Sequence, residues 1–253
     1  MTRRIAIITG ASRQQGIGAA ICRRLALAGI DIFFTHWGAF DSTMPWGVEE
    51  DTPAQLQREL QAIGVRCEQM EADLASVETP RLILDAVASR LGAPLILVNN
   101  AAHDDFNAPF DQLDAAILDK YYAVNMRGTI LLNVEFARRF AQQSGGRIIN
   151  LTSGQGIGPM PGKLPYIATK GAIDAFTMTL AAEVASRGIT VNAVDPGPTD
   201  TGWMTPELRQ QLIANSPRGR VGEPDDAARM IAFLASEESE WVTGQIIRSR
   251  GAF

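Results

Sequence analysis

Three residues in one stretch of the chain have the types and spacing to do chemistry: Ser153, Tyr166 and Lys170. An apolar run, Arg147 to Leu151, reads as a strand that delivers Ser153 to its end. A Gly/Pro-rich loop follows, and a helical pattern opens with Tyr166 and Lys170. Residues four apart lie one turn apart on a helix, so the phenol and the ammonium share a face. A nearby cation favours the phenolate, which predicts a Tyr166 pKa below its reference of about 10. Tyr166 is therefore a candidate acid or base near neutral pH.

A second constellation opens the chain. Ile5 to Thr9 reads as a buried strand, Gly10-Ala-Ser-Arg-Gln-Gln-Gly16-Ile-Gly18 as a glycine turn, and Ala19 to Ala28 as a helix that stops at Gly29. Strand, glycine turn and helix make a phosphate cradle. Glycines let backbone approach a pyrophosphate, and the helix N-terminus offers unpaired N–H groups and a favourable dipole. Asp31 to His36 is the second strand, whose end is where a dinucleotide site selects its ribose. An acid there would bind the ribose 2′-hydroxyl and repel a 2′-phosphate, but this chain has His36-Trp37.

Taken together, these motifs resemble the short-chain dehydrogenase/reductase family over nearly the whole chain, from Ile5 to about Phe253. The resemblance implies catalytic Asn125, Ser153, Tyr166 and Lys170, with Asn125 perturbing its helix and holding a water that leads to Lys170. It also implies a cofactor held by Gly10, Ser12, Arg13, Gly16, Ile17 and Gly18, with Asp73 and Leu74 at the adenine. Asn100, Ala101 and Ala102 match the family's Asn-Ala-Gly, Ala102 replacing the glycine. Pro196, Gly197, Thr199 and Thr201 match a loop beside the nicotinamide, where Tyr166 and Lys170 also reach the cofactor. Arg13, in the place of a basic residue of NADP-dependent members, makes NADP(H) the preferred cofactor, with NAD(H) an alternative. His36 either adds a hydrogen bond there or is a bystander; Trp37 is its neighbour in the site.

The chain departs from the pattern at three further places. Five residues separate Gly10 from Gly16 where three are usual, an excess that looks like Gln14-Gln15 and is shared with enoyl-thioester reductases. Those relatives place six residues between tyrosine and lysine, whereas this chain has three, which favours a carbonyl reductase. The stretch from Gly38 to Pro53, with Trp37, Phe40, Met44, Trp46, Glu49, Glu50 and Asp51, is too long for an ordinary connection. It is expected over the adenosine end of the cofactor or against a neighbouring subunit. Ser249-Arg250-Gly251-Ala252 stands where many relatives have an acid and two glycines.

These residues need a scaffold. Gln55 to Ile63, Thr79 to Leu91, Leu113 to Gln142, Gly171 to Ser186 and Pro224 to Ala235 read as helices; Arg66 to Glu71, Pro94 to Val98, Thr190 to Val194 and Thr243 to Ser249 read as strands. Asn125 lies inside the long helix despite its poor helical propensity. Trp203 to Arg220 resembles a mobile substrate lid. The expected fold is one α/β domain over residues 1–253, a three-layer, doubly wound Rossmann fold with a mainly parallel seven-stranded sheet.

Composition limits the partners. With 46% hydrophobic and 20% charged residues the chain has the make-up of a globular protein. Its net charge of −5, with no basic stripe, argues against nucleic acid or an anionic membrane. A small carbonyl or alcohol substrate fits better. The run Ile5 to Ile8 is too short for a signal core or a membrane span, so a cytoplasmic location is expected. Cys22 and Cys67 read as small hydrophobes, and His36 and His103 have no metal-like spacing, so no metal is expected.

The expected reaction is ketone reduction by hydride transfer, with Tyr166 as general acid/base and a 3-oxoacyl thioester among the candidate substrates. The segments Ala185 to Asn192 and Phe233 to Ser236 look most like 3-oxoacyl-[acyl-carrier-protein] reductases. Sugar, steroid or other secondary-alcohol dehydrogenation stays open, as does an NADP(H)-binding sensor without catalysis. The resemblance implies a homo-oligomer, a tetramer or a dimer.

Overall fold

The structure, a computed structural model, describes residues 3–48, 51–105 and 109–252. Glu49, Glu50 and Phe253 of the sequence reading lie outside the described residues. Strand β1 (Ile5–Ile8) leads through the glycine turn to helix α1 (Ile17–Leu27) and β2 (Asp31–His36). A short helix α2 (Gly38–Asp41), then α3 (Thr52–Ile63), β3 (Cys67–Glu71), α4 (Thr79–Arg90) and β4 (Ile96–Asn99) complete the first half. The second half runs α5 (Ala115–Tyr121), α6 (Thr129–Arg139), β5 (Gly146–Leu151), α7 (Leu164–Val184) and β6 (Ile189–Asp195). It closes with α8 (Pro206–Asn215), α9 (Pro224–Ala235) and β7 (Ile246–Arg248).

The seven strands form one sheet in the order β3-β2-β1-β4-β5-β6-β7, and every pairing is parallel. The last strand, shorter than the Thr243–Ser249 expected, joins β6 in the same direction. Parallel strands buried on both faces must be apolar almost throughout, and β1, β4 and β5 are buried at every position. Alternation then sends neighbouring residues to opposite layers. Ala6, Ile8, Ile32, Phe34 and Val98 pack with Ile21 and Leu25 of α1, Leu56 and Leu60 of α3 and Ile231 of α9. Ile5, Ile7, Phe33 and Leu97 pack with Ile83 and Val87 of α4, Phe136 of α6 and Leu180 of α7. The order reverses between β1 and β4, and the crevice outside their C-terminal ends is the general ligand position of such sheets.

The long helix expected from Leu113 to Gln142 is broken. Between α5 and α6, Tyr122–Gly128 is π-helical, and Asn125 lies inside that turn. The widened turn matches the poor helical propensity of an interior asparagine and leaves its amide free to bond elsewhere. Beneath it, Asn150 in β5 is fully buried and joins four elements. Its Oδ1 accepts from Asn99 Nδ2 at 2.9 Å and Asn133 Nδ2 at 3.2 Å, and its Nδ2 donates to Thr177 Oγ1 at 3.0 Å. Replacing Asn150 by Ala strands the Asn99 and Thr177 partners in a dry interior, and each orphaned group costs about 1–3 kcal/mol. We expect Asn150→Ala to lower unfolding free energy by at least about 2 kcal/mol in urea denaturation.

Candidate active site

The crevice at the sheet reversal holds a cavity of about 760 Å³. Of the residues that the sequence assigned to the cofactor, Gly10, Ser12, Arg13, Gly16, Ile17, Gly18, Trp37, Asp73, Leu74, Asn100, Ala101, Ala102 and Thr201 line it. Gly10 has φ +73°, and a Cβ there would come within 2.7 Å of Ala101 Cα. At Gly18 a Cβ would come 2.5 Å from the Gly10 carbonyl oxygen, so only glycine lets helix α1 begin this close to the turn. No side chain caps the N-terminus of α1, and Gly16, Ile17 and Gly18 present that end to the cavity. Asn100 clasps the turn from β4, with Nδ2 donating to the Thr9 and Gly10 carbonyls at 2.9 and 2.8 Å.

The stretch after β2 folds over the same cavity. Phe40, Asp41, Thr43 and Trp46 line it, none of them assigned a role from sequence. The Arg13 guanidinium lies 4.2 Å from the centre of the Trp46 ring, and its Nη2 donates to the Thr201 carbonyl at 2.7 Å. Arg13 therefore bridges the glycine turn, this insertion and the loop after β6. The buried Asp41 carboxylate accepts from Trp46 Nε1 at 3.1 Å. The length and the aromatic and acidic composition of the stretch left two places open, over the adenosine end of the cofactor or against a neighbouring subunit, and here it lines the cavity.

His36 turns away. Its Nε2 meets Gln69 Oε1 at 2.5 Å on β3, and the side chain is absent from the cavity wall. The residue at the end of β2 is a sheet contact because Gln69 of β3, paired with Phe34 two residues earlier, lies on the same face and reaches it. Thr199 also turns inward: it is buried, and its hydroxyl faces the Pro196 and Gly197 carbonyls at 3.4 and 3.2 Å.

Ser153, Tyr166 and Lys170 come together as expected. Ser153 follows β5 by two residues, Pro165 opens the first turn of α7, and the Ser153 hydroxyl acts on the Tyr166 phenol, lowering its proton affinity. Lys170 is buried, with Nζ donating to the Leu151 carbonyl at 2.8 Å and lying 5.6 Å from the centre of the Tyr166 ring. Asn125 is buried nearby: Oδ1 accepts from the His103 backbone N–H at 2.6 Å, and Nδ2 donates to the His103 carbonyl at 2.9 Å. Asn125 thus pins the loop after β4 to the π-helical turn.

The expected lowering of the Tyr166 pKa is not what this arrangement produces. Burial raises the phenol well above its ordinary value; Asp104 raises it further, the Ser153 bond opposes, and Asp195 and Tyr121 add smaller upward effects. Burial also lowers Lys170 to about 8, with Asp104 and Asp174 opposing. Spacing on a helix showed the neighbouring cation, but the desolvation that outweighs it comes from the surrounding layers.

A family model described as enoyl-(acyl carrier protein) reductase matches residues 10–251. The chain belongs to the short-chain dehydrogenase/reductase family. It is 56% identical over 252 residues to the uncharacterized oxidoreductase YjdA of Bacillus subtilis, covering 99% of this chain and 96% of that one. It is 37% identical to an Arabidopsis thaliana NADPH-dependent aldehyde reductase-like chloroplastic protein, covering 99% and 94%. A 3-oxoacyl-[acyl-carrier-protein] reductase of Staphylococcus epidermidis is 33% identical, with 97% of each chain covered. Among solved structures, a short-chain dehydrogenase of Burkholderia cenocepacia in complex with NADP superposes with a TM-score of 0.86 at 31% identity, covering 100% and 98%. This short-chain dehydrogenase/reductase is an oxidoreductase with the seven-stranded Rossmann fold of its family. Among its described residues no helix is long and apolar enough to cross a membrane.

The depressed lysine pKa has a measurable sign. The folded protein releases the Lys170 proton near pH 8 and the unfolded chain near its ordinary 10.5, so between those values the unfolded state binds more protons. Relative to Lys170→Met, the wild type should gain stability as pH rises through that window, with a slope of at most about 1.4 kcal/mol per pH unit. Comparing urea unfolding of the two proteins cancels the opposite effect of Cys67, which burial raises to about 12.

Proposed function

We propose that this protein is an NADP(H)-dependent carbonyl reductase that converts a ketone to a secondary alcohol, with 3-oxoacyl thioesters as the first class to test. The observation that carries the reading is the meeting of Ser153, Tyr166 and Lys170 near the glycine-lined cavity, with buried Lys170 Nζ 5.6 Å from the centre of the Tyr166 ring and Ser153 acting on the phenol. The cavity fits a dinucleotide. Its glycines leave room that a Cβ would fill, and an uncapped helix end faces it with orphan N–H groups suited to a pyrophosphate. Gly10, Gly16, Ile17 and Gly18 would hold the phosphates, Asp73 and Leu74 the adenine, and Ser12, Arg13 and Trp37 a ribose 2′-phosphate. When bound, NADPH supplies the hydride.

The chain's own residues then do the rest. Tyr166 gives its proton to the developing alkoxide, and Ser153 donates a hydrogen bond to the same oxygen and fixes its position. Lys170 binds the nicotinamide ribose and stabilises the phenolate left behind. Asn125 holds the loop through His103 and keeps the π-helical turn next to α7, where its Nδ2 reaches Thr169 Oγ1 at 3.3 Å.

One feature supports carbonyl rather than enoyl reduction: three residues separate Tyr166 from Lys170. The Arabidopsis relative's name favours aldehydes as a second substrate class.

A short 3-oxoacyl thioester mixed with NADPH should give loss of reduced-nicotinamide absorbance, faster than with NADH. NADPH binding without oxidation would move the search to aldehydes, sugars and other ketones. Tyr166→Phe should abolish turnover and leave NADPH affinity unchanged; a variant that keeps its rate overturns the catalytic assignment. Arg13→Ala should weaken NADPH binding about tenfold or more and NADH binding far less, since hydrogen bonds to charged groups are worth about 1.5–3 kcal/mol. Equal losses for both cofactors would remove Arg13 from the 2′-phosphate site.

A further inference from the structure

Arg250 comes from the C-terminal segment that departs from the family pattern, yet it reaches the residue after Ser153. Its Nη1 donates to Asp195 Oδ2 at 2.8 Å, and the two side chains are 18% and 3% exposed. The guanidinium lies across Gly154, the residue after Ser153; a Cβ at that position would collide with Nη1 and come 2.9 Å from Cζ. The stem of Arg250 lies against Gly197, where φ is +68° and a Cβ would come 2.9 Å from the arginine Cβ. Asp195 uses its other oxygen to accept the Gly197 backbone N–H at 3.0 Å, and its carbonyl accepts from Ser249 at 2.8 Å. One side chain therefore touches the loop after β5 that carries Ser153 and the loop after β6 that carries Pro196 and Gly197.

We propose that Arg250 is a positioning residue for the reaction: by pairing with Asp195 it locks the Ser153 loop against the Pro196–Gly197 loop and neutralises the buried Asp195 carboxylate between them. This inference rests on the carbonyl-reductase reading. The groups whose charge or polarity acts on the phenol are Asp104 from the loop after β4, Ser153 from the loop after β5, Asp195 from β6 and Tyr121 from α5, and Lys170 Nζ on α7 lies 5.6 Å from the ring centre. Each of the two carboxylates has its own cation, since Lys163 Nζ lies 2.8 Å from Asp104 Oδ1. Removing Arg250 leaves Asp195 buried without one. An unpaired negative charge there disfavours the phenolate, so the base form of Tyr166 appears at higher pH. The loop that holds Gly197 loses its clamp as well.

The test compares wild type, Arg250→Met and Arg250→Lys in alcohol oxidation with NADP+ across about pH 6 to 10, alongside NADPH binding by nicotinamide fluorescence and thermal melting. In Arg250→Met the rising limb of kcat should move up by at least about half a pH unit, kcat at neutral pH should fall about tenfold, and substrate KM should change less than about threefold. NADPH affinity should weaken at least about threefold, and Arg250→Lys should restore the limb. A lowered melting temperature with unchanged limb and kcat would make Arg250 merely structural and overturn the proposal. Should Arg250→Met fail to fold, Gly154→Ala, which pushes the guanidinium off its seat, must displace the limb in the same direction; an unmoved limb overturns the proposal equally. If the wild type oxidises and reduces nothing with NADP(H), the functional reading fails. The clamp is then judged on NADPH affinity alone, and unchanged affinity in Arg250→Met refutes it.

Discussion

The buried amide of Asn150 is the constraint on which the site depends. A side-chain amide inside a sheet with apolar layers on both faces has no water to turn to, so its donors and acceptor must be met by protein. Asn99, Asn133 and Thr177 meet them, which sets β4, α6 and α7 against β5 at hydrogen-bond distance. Ser153 leaves β5 three residues later, and Lys170 lies two turns before Thr177 on α7, with its ammonium on the Leu151 carbonyl. The relative placement of serine, tyrosine and lysine is thus a consequence of satisfying one polar residue in the interior.

On the other side of the reversal in strand order, close approach is the governing demand. Gly10 and Gly18 bring the turn after β1 against β4 and the start of α1, and Asn100 fastens it. The insertion after β2 then covers the cavity through Trp46 and Arg13, which a cation–π contact and a bond to the Thr201 carbonyl hold in place. The glycine turn, Arg13 and the insertion are successive segments of one cavity wall.

Much of this was legible in the residue pattern. The strands and helices followed from apolar runs and periodicity, and the glycine turn and Tyr-x3-Lys from residue types at short spacing. The break in the long helix at Tyr122–Gly128 was visible only as a misplaced asparagine. The side chains of His36 and Thr199 were assigned to the cofactor by position along the chain, and each found a nearer partner in Gln69 or in its own loop. The Tyr166 pKa went the opposite way because proximity to Lys170 can be counted along a helix, whereas desolvation depends on what other segments place around the ring.

By itself, then, the sequence determined the order of elements, the doubly wound class, the glycine cradle and the shared face of Tyr166 and Lys170. These rest on local geometry, the two-residue alternation of strands and the turn of a helix, which a chain carries wherever it goes. Only the tertiary structure decided the proton affinities, the insertion's place over the cavity, and the meeting of Arg250 with Asp195 and Gly154. Charge and burial act through space, and the groups that impose them on Tyr166 come from segments far apart along the chain.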